Sequence, residues 1–489
     1  MKILTKDSNS IIDNPRIAKL LIVLFLSSLF LIPFDDLPYI TFLGGLGKRA
    51  AFYPFFAIIP IIAYISLIKR RIYISLTLEK YILIIFYIWI CISTVVNFNN
   101  IMSSSYKGTS GISKSLIQII TLTFVITSSY CIELIISTKK VSLYTIRKFI
   151  SLSLIPVTFV SLLEIFNMIN LYDLSHILEI ITYTINTALR GFVYGGRSRG
   201  VSAEASYLGM YCAFIFPWII SYLYTEKTKF KKVFFSFISL LILLIVIATK
   251  SRTATILILF ELVSLFGLVL LFYSNIRIKF ITTLIIILFS LCLFTFPKLL
   301  GSIKTSLSNR DNPIITENSQ NIASSEYDVG SIVSSVTDSN NLSNIARSTM
   351  QNAAFKIGID NPIFGVGLGQ FAFNFSPYIQ EDSLRSNEVK IWLDNSISTW
   401  PPVHSLYHRL FAESGLVGLL LYVSFVFIVC LKLLIKLIKS KKDILGMLLL
   451  ISYSSIVIGS LTVDTLLIGQ FWIMTPILIL YTSDKLMIK

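Results

Sequence analysis

Apolar runs of about 17 to 25 residues recur along almost the whole chain, and that repetition constrains the fold more than any other feature. A helix of about 20 residues crosses the hydrocarbon core of a bilayer. In lipid, a single segment can satisfy its own backbone hydrogen bonds only as a helix. Runs of this kind lie near 17–34, 50–68, 78–96, 115–137, 149–170, 203–224, 233–249, 253–273, 279–297, 411–431, 443–461 and 465–482. They predict an all-α polytopic membrane protein of about 12 transmembrane helices. Hydrophobic residues fill 55% of the 489 positions and charged residues 14%, too little polar surface to clothe a soluble protein of this size.

The formal charge of +16 could suggest a nucleic-acid binder. The basic residues sit instead in short clusters between apolar runs, as topology signals do. With the N-terminus in the cytoplasm, alternate connections carry Lys69-Arg70-Arg71, Lys139-Lys140, Arg147-Lys148, Lys227 to Lys232, Arg277-Lys279 and Lys436 to Lys442, and each lies inside. The chain then divides into an N-terminal bundle of about nine spans (1–297), one large periplasmic loop (298–410) and about three C-terminal spans (411–489). Met1 to Lys19 is polar, and Leu20 to Phe34 runs into Asp35 and Asp36 with no small-residue cleavage site, so the first run reads as a retained span. All five cysteines fall in apolar stretches and read as small buried residues, with no disulfide or thiolate metal site expected.

Within the loop, residues 301–345 are rich in Ser, Asn and Asp, whereas Ala346 to Phe371 has a helical apolar pattern that stops at Asp360-Asn361-Pro362 and turns through Gly365, Gly367 and Gly369. No strand precedes this glycine run, so it reads as a closely packed turn rather than a dinucleotide fingerprint. His176, His404 and His408 all lie at or just inside the outer face, as do Arg197 and Arg199 of Gly-Gly-Arg-Ser-Arg-Gly and Arg252 in a turn between two apolar helices. An arginine at a membrane edge can snorkel to lipid phosphate, but several converging on one cavity would bind a diphosphate through their planar forks. Pro401-Pro402 predicts a helix start, from which His404, Tyr407, His408 and Phe411 share one face and Glu413 lies opposite His404. Glu413 is then placed to pair with Arg409, and Gly415 and Gly418 to admit a neighbouring helix. Glu133, Glu164, Glu261 and Asp464 read as buried acids that pair with a neighbouring helix or, near an interface, reach water. Nothing has a metal-ligand spacing, a nucleophile elbow or a phosphate-binding loop.

Four blocks together resemble the O-antigen ligase and polymerase superfamily of bacterial surface-polysaccharide assembly. They are Arg199-Gly200 with Glu204-Ala205-Ser206, Ser251-Arg252, Arg347 followed by Asp360-Asn361-Pro362 and Gly365 to Phe371, and His404 to Gly418. Ser405 stands where the family often has Asn. The resemblance implies a C-type glycosyltransferase fold in the inner membrane and an undecaprenyl-diphosphate-linked glycan as donor, with no cofactor and no metal. It implies His404 as the catalytic base, Arg197, Arg199, Arg252 and Arg347 as diphosphate ligands, and Glu204, His408 and Glu413 in support. Glu204-Ala205-Ser206 is more similar to polymerases, which extend a lipid-linked chain, than to ligases, which transfer it to lipid A core. The expected partners are lipid-linked oligosaccharides and membrane lipids, with a chain-length regulator of the same pathway as a candidate and no nucleic acid. A lipid-linked oligosaccharide flippase would also have about a dozen spans, but would not need a long outer segment ending in a re-entering histidine helix.

Overall fold

The computed structural model describes residues 2–4, 12–40, 43–73, 76–187, 196–272, 341–440 and 443–488, with isolated positions between 279 and 291. The chain is an all-α polytopic membrane protein. Among the described residues eight helices are long and apolar enough to cross a membrane. In chain order the helices are α1 (Pro15–Phe30), α2 (Phe55–Lys69), α3 (Leu78–Val96), α4 (Gly111–Ser137), α5 (Leu143–Leu152), α6 (Leu154–Met168), α7 (Ser175–Ile185), α8 (Ala205–Thr225), α9 (Lys229–Thr249) and α10 (Arg252–Phe272). They continue with α11 (Leu342–Asp360), α12 (Asn387–Leu393), α13 (Leu406–Ser440), α14 (Ile444–Gly459) and α15 (Gly469–Thr482). The shorter α1, α14 and α15 coincide with three further predicted spans, and the span predicted at 279–297 lies outside the described residues apart from isolated positions.

The centre of the bundle is α8, which packs against α9, α10 and α14. A helix apolar on every side belongs in the interior, and α8 buries a continuous run from Tyr211 to Tyr222. Its close approach to α10 depends on Gly209, where a Cβ would stand 2.5 Å from the Ala254 Cβ. Gly209→Ala is therefore expected to lower stability by about 1–3 kcal/mol through overpacking. Gly267→Ala in α10, where a Cβ meets nothing within 4 Å, should leave the thermal midpoint in detergent unchanged.

A second core lies outside the bundle. Ala346, Met350, Ala353, Ala354 and Ile357 on α11 pack with Phe371, Phe375, Val389, Trp392, Val403 and Ala412. This segment sits at the end of the bundle where α13 begins, and α11 packs along α13.

Several local expectations are corrected by the structure. The span predicted near 149–170 falls within Leu143–Met168, one of the eight candidate spans, but α5 and α6 meet there at a turn at Ser153, whose hydroxyl donates to the Ile150 carbonyl and meets the Tyr211 hydroxyl at 2.7 Å. The connection 171–202 contains α7, which carries His176 on an exposed position. The helix expected to start at Pro401-Pro402 begins only at Leu406, so His404 precedes it and shares no helical face with Tyr407, His408 or Phe411. Finally, α13 is broken at Gly415 (φ 69°, ψ −174°).

Candidate functional site

Arg197 and Arg252 are brought together by one turn. At the end of α9 the chain reverses through Lys250, at φ +49°, and α10 opens on Arg252. The segment before α8 clips onto this turn: the Ser198 amide donates to the Ala248 carbonyl at 2.8 Å, and Arg197 Nε donates to the Thr249 carbonyl at 2.9 Å. Behind it, one Glu164 carboxylate oxygen accepts from the Ser198 hydroxyl (2.6 Å), the Arg199 amide (3.0 Å) and the Gly200 amide (2.8 Å). Arg199 itself is 1% exposed, and its charge acts on Glu164. The structure thus sets Arg199 deeper than its neighbour, against a carboxylate.

Arg347 arrives from the capping segment. Burial lowers its pKa, and the charges of Arg252 and Arg197 lower it further, opposed by Glu388 and Glu204. Three of the four sequence-predicted arginines therefore share one electrostatic neighbourhood, where an anion would relieve their mutual repulsion. Glu204 also belongs to it, at the N-terminus of α8, where it accepts from the Ser206 hydroxyl at 3.3 Å.

His404 stands beside this cluster in a left-handed backbone conformation, φ +59°, which non-glycine residues adopt only when the surroundings hold them there. The restraints are explicit. The Val403 amide donates to Asp464 Oδ2 at 2.6 Å, Gln351 Nε2 donates to the His404 carbonyl at 3.0 Å, and the Leu406 amide donates to the Ser460 carbonyl at 2.9 Å. Gln351 lies one turn beyond Arg347 on α11, so the same helix face that holds His404 presents the arginine whose charge acts on it. The imidazole packs against Trp392, with ring centroids 5.6 Å apart, and its Nε2 is buried with no hydrogen-bond partner. Burial pushes the His404 pKa down to about 4, with Asp464 opposing and Arg347 adding to the depression. The ring is neutral at pH 7, with a nitrogen able to accept a proton. His408 is held differently, its Nδ1 meeting the Ser405 hydroxyl at 2.9 Å.

Two of the sequence blocks prove to be a single piece of structure. At the Gly415 break, the turn after α11 enters α13. The Val366 and Gly367 amides donate to the Ala412 and Glu413 carbonyls, both at 2.9 Å, and the Leu416 amide donates to the Pro362 carbonyl at 2.7 Å. A Cβ on Gly415 would lie 2.1 Å from the Ile363 carbonyl oxygen, and one on Gly365 would lie 2.5 Å from the Glu413 backbone. What approaches Gly415 is thus a loop, while the Trp89 ring of α3 lies 3.2 Å from a Cβ at Gly418. The Glu413 carboxylate takes the Arg409 guanidinium at 3.1 Å and the Phe371 amide at 3.3 Å, so it braces the junction and leaves His404 to other partners.

Sequence reasoning read Asp464 only as one of several buried acids and gave it no part in the site, yet its carboxylate reaches both the Val403 amide and the electrostatic surroundings of His404. It also missed a cleft lined by Asp35, Arg49, Tyr207, Val463 and Gln470. There Arg49 lies 5.2 Å over the Tyr207 ring and 3.9 Å from Asp35. Burial raises the Asp35 pKa to about 6 against the opposing charge of Arg49. Their signal was non-local and could not be read from spacing. Among the described residues no three His, Cys, Asp or Glu side chains gather into a metal-binding group.

No curated protein matches the chain. Residues 237–423 match the family model described as Wzy_C, O-antigen ligase, a stretch that takes in Arg252, Arg347, His404 and Glu413 and supports the resemblance to the O-antigen polymerase and ligase superfamily.

Proposed function

We propose that the chain is a surface-polysaccharide polymerase of the inner membrane, with its site facing the periplasm, that transfers a growing undecaprenyl-diphosphate-linked glycan to the next lipid-linked repeat unit. The observation that carries this reading is the buried, unpartnered Nε2 of a neutral His404 beside the charges of Arg347, Arg252 and Arg197. A hydroxyl of the acceptor sugar attacks the anomeric carbon of the donor. The new C–O bond forms as the bond to diphosphate breaks, the configuration inverts, and the hydroxyl proton passes to His404 Nε2. Arg197, Arg252 and Arg347 stabilise the departing diphosphate through charge-assisted hydrogen bonds, the task a divalent cation performs in many other transferases. Arg199 lies buried behind the turn, where its backbone amide and the Ser198 hydroxyl bond Glu164 and hold the segment that carries Arg197. An incoming diphosphate would also raise the His404 pKa toward neutrality, in the direction opposite to the effect of Arg347.

The description of the matched family favours a second reading, ligation of the glycan to lipid A core. Glu204-Ala205-Ser206 favours the first. A polymerase must accept the terminal sugar of another lipid-linked repeat, so donor and acceptor can be one compound. Purified protein given only lipid-linked single repeats is expected to build a ladder of longer lipid-linked chains with no lipid A core present, in the presence of excess chelator. Absence of a ladder, together with long lipid-linked polymer accumulating in a deletion strain, would establish the ligase instead. Loss of the ladder on chelation alone would point to a metal-dependent transferase.

A further inference from the structure

At 1.5 Å per residue, the 19 residues of α3 are about as long as the hydrocarbon core of a bilayer is thick. The turn after α11 is fastened to the side of this helix rather than to its end. The Phe364 ring stacks on Trp89, with centroids 5.0 Å apart, and the Ser93 hydroxyl donates to the Phe364 carbonyl at 2.5 Å. Along the helix, Trp89 stands about 10 Å and Ser93 about 5 Å in from Val96. α13 gives a similar depth. The Pro362 carbonyl takes the amide of Leu416, the first of the exposed residues Leu416, Leu420, Val423 and Phe427 that run down one face of that span.

Non-helical backbone persists at such depth where protein satisfies its polar groups. Besides the bonds to Pro362 and Phe364, Asn97 Nδ2 donates to the Gly365 carbonyl at 3.0 Å, and the Gly365 amide donates to the Asn361 carbonyl at 2.9 Å. Pro362 has no amide hydrogen to satisfy. The side chain that this turn leaves outermost is apolar, Ile363 being 55% exposed. α11 leads to the turn with a graded face. Ser348, Asn352, Phe355 and Ile359 share one side of the helix and are all exposed, polar in the first half and apolar in the second. Lys356 and Asp360 are exposed on the adjoining side, where the lysine can reach outward along its stem and the Asp360 carboxylate accepts from the Tyr378 hydroxyl at 2.5 Å. A helix that starts in water and ends in lipid has this pattern.

We propose that α11 enters the leaflet on that side obliquely, and that acyl chains cover Phe355, Ile359 and Ile363. Lipid is the occupant because this surface continues the exposed apolar face of α13. Arg347 and Gln351 belong to the same helix, so its depth of insertion sets their level against the lipid headgroups. In that consequence alone the inference rests on the proposed function. The test uses the full chain in phospholipid nanodiscs, with native cysteines replaced and one nitroxide-labelled cysteine at a time, Ser348→Cys, Ile359→Cys or Ile363→Cys. The label at 348 is expected to collide mainly with an aqueous nickel chelate and those at 359 and 363 mainly with dissolved oxygen, the oxygen-to-nickel ratio rising at least severalfold from 348 to 363. Equal ratios at 348 and 363 would overturn the proposal. A benzoylphenylalanine in place of Phe355 gives a second readout in the same nanodiscs and in native membranes. Irradiation is expected to yield a phospholipid adduct, whereas an adduct with a second copy or with another protein would overturn the proposal and assign the stripe to a protein interface. Neither measurement involves the glycan, so either can fail while the transferase reading stands.

Discussion

Replacing His404 by alanine is expected to lower turnover by about 10²–10⁴-fold, the usual worth of a positioned general base, without loss of folded protein. His408→Ala should retain measurable activity, since His408 is turned toward Ser405. Folding should survive because the backbone contacts that hold residue 404, from Gln351 and through Val403 to Asp464, do not use the imidazole. The pH profile provides a second readout. Burial lowers the His404 pKa to about 4, so the free protein keeps its base deprotonated well below pH 6. The acid limb of kcat/KM should therefore lie below the ordinary histidine range. If the proposed diphosphate donor binds beside it, its charge raises that pKa, so the acid limb of kcat should sit at higher pH than the limb of kcat/KM. Normal turnover by the alanine variant, or two limbs in the reverse order, would remove His404 from the role.

Arg347→Met should cost about 10²–10³-fold in kcat, the scale of losing one preorganised donor to developing charge. The loss should appear mainly in kcat, because in the proposed reaction the charge on the departing diphosphate grows in the transition state. Arg252→Lys keeps the charge and loses the two-pronged geometry, so it should also be severely impaired. A near-normal Arg252→Lys would mean that the side chain merely reaches toward lipid phosphate. A rise in KM with kcat unchanged in Arg347→Met would mean that it anchors donor and transition state equally.

The membrane helices were legible because lipid imposes a length and an apolar composition that survive in one dimension, as in Leu78–Val96 or Lys229–Thr249. So was the pairing of Arg409 with Glu413, which are neighbours on one turn of helix. What escaped depends on contacts between distant segments. Helical periodicity carries through His404 and Gly415 alike, yet His404 is pulled out of the helix by partners on α11 and on the segment after α14, and Gly415 is opened by the turn at Pro362. Asp464 reads in isolation as one more buried acid, and only the fold sets it beside Val403. Of the four arginines, Arg199 looks equivalent to Arg197 until Glu164 comes up behind it.

The junction at Gly415 bears on how such proteins can diverge. Residues 362–367 and 412–416 complete each other's backbone hydrogen bonding, so they behave as the two halves of a mortise and tenon. The segment that carries α11 and α12 cannot be exchanged as a cassette ending before α13. A chimaera that grafts the outer segment up to His404 while leaving the recipient's 412–418 in place would join mismatched halves. One that carries the graft through Gly418 would transplant the joint whole. The segment that carries α11 and α12 and the top of the helix that follows it are therefore one unit for exchange.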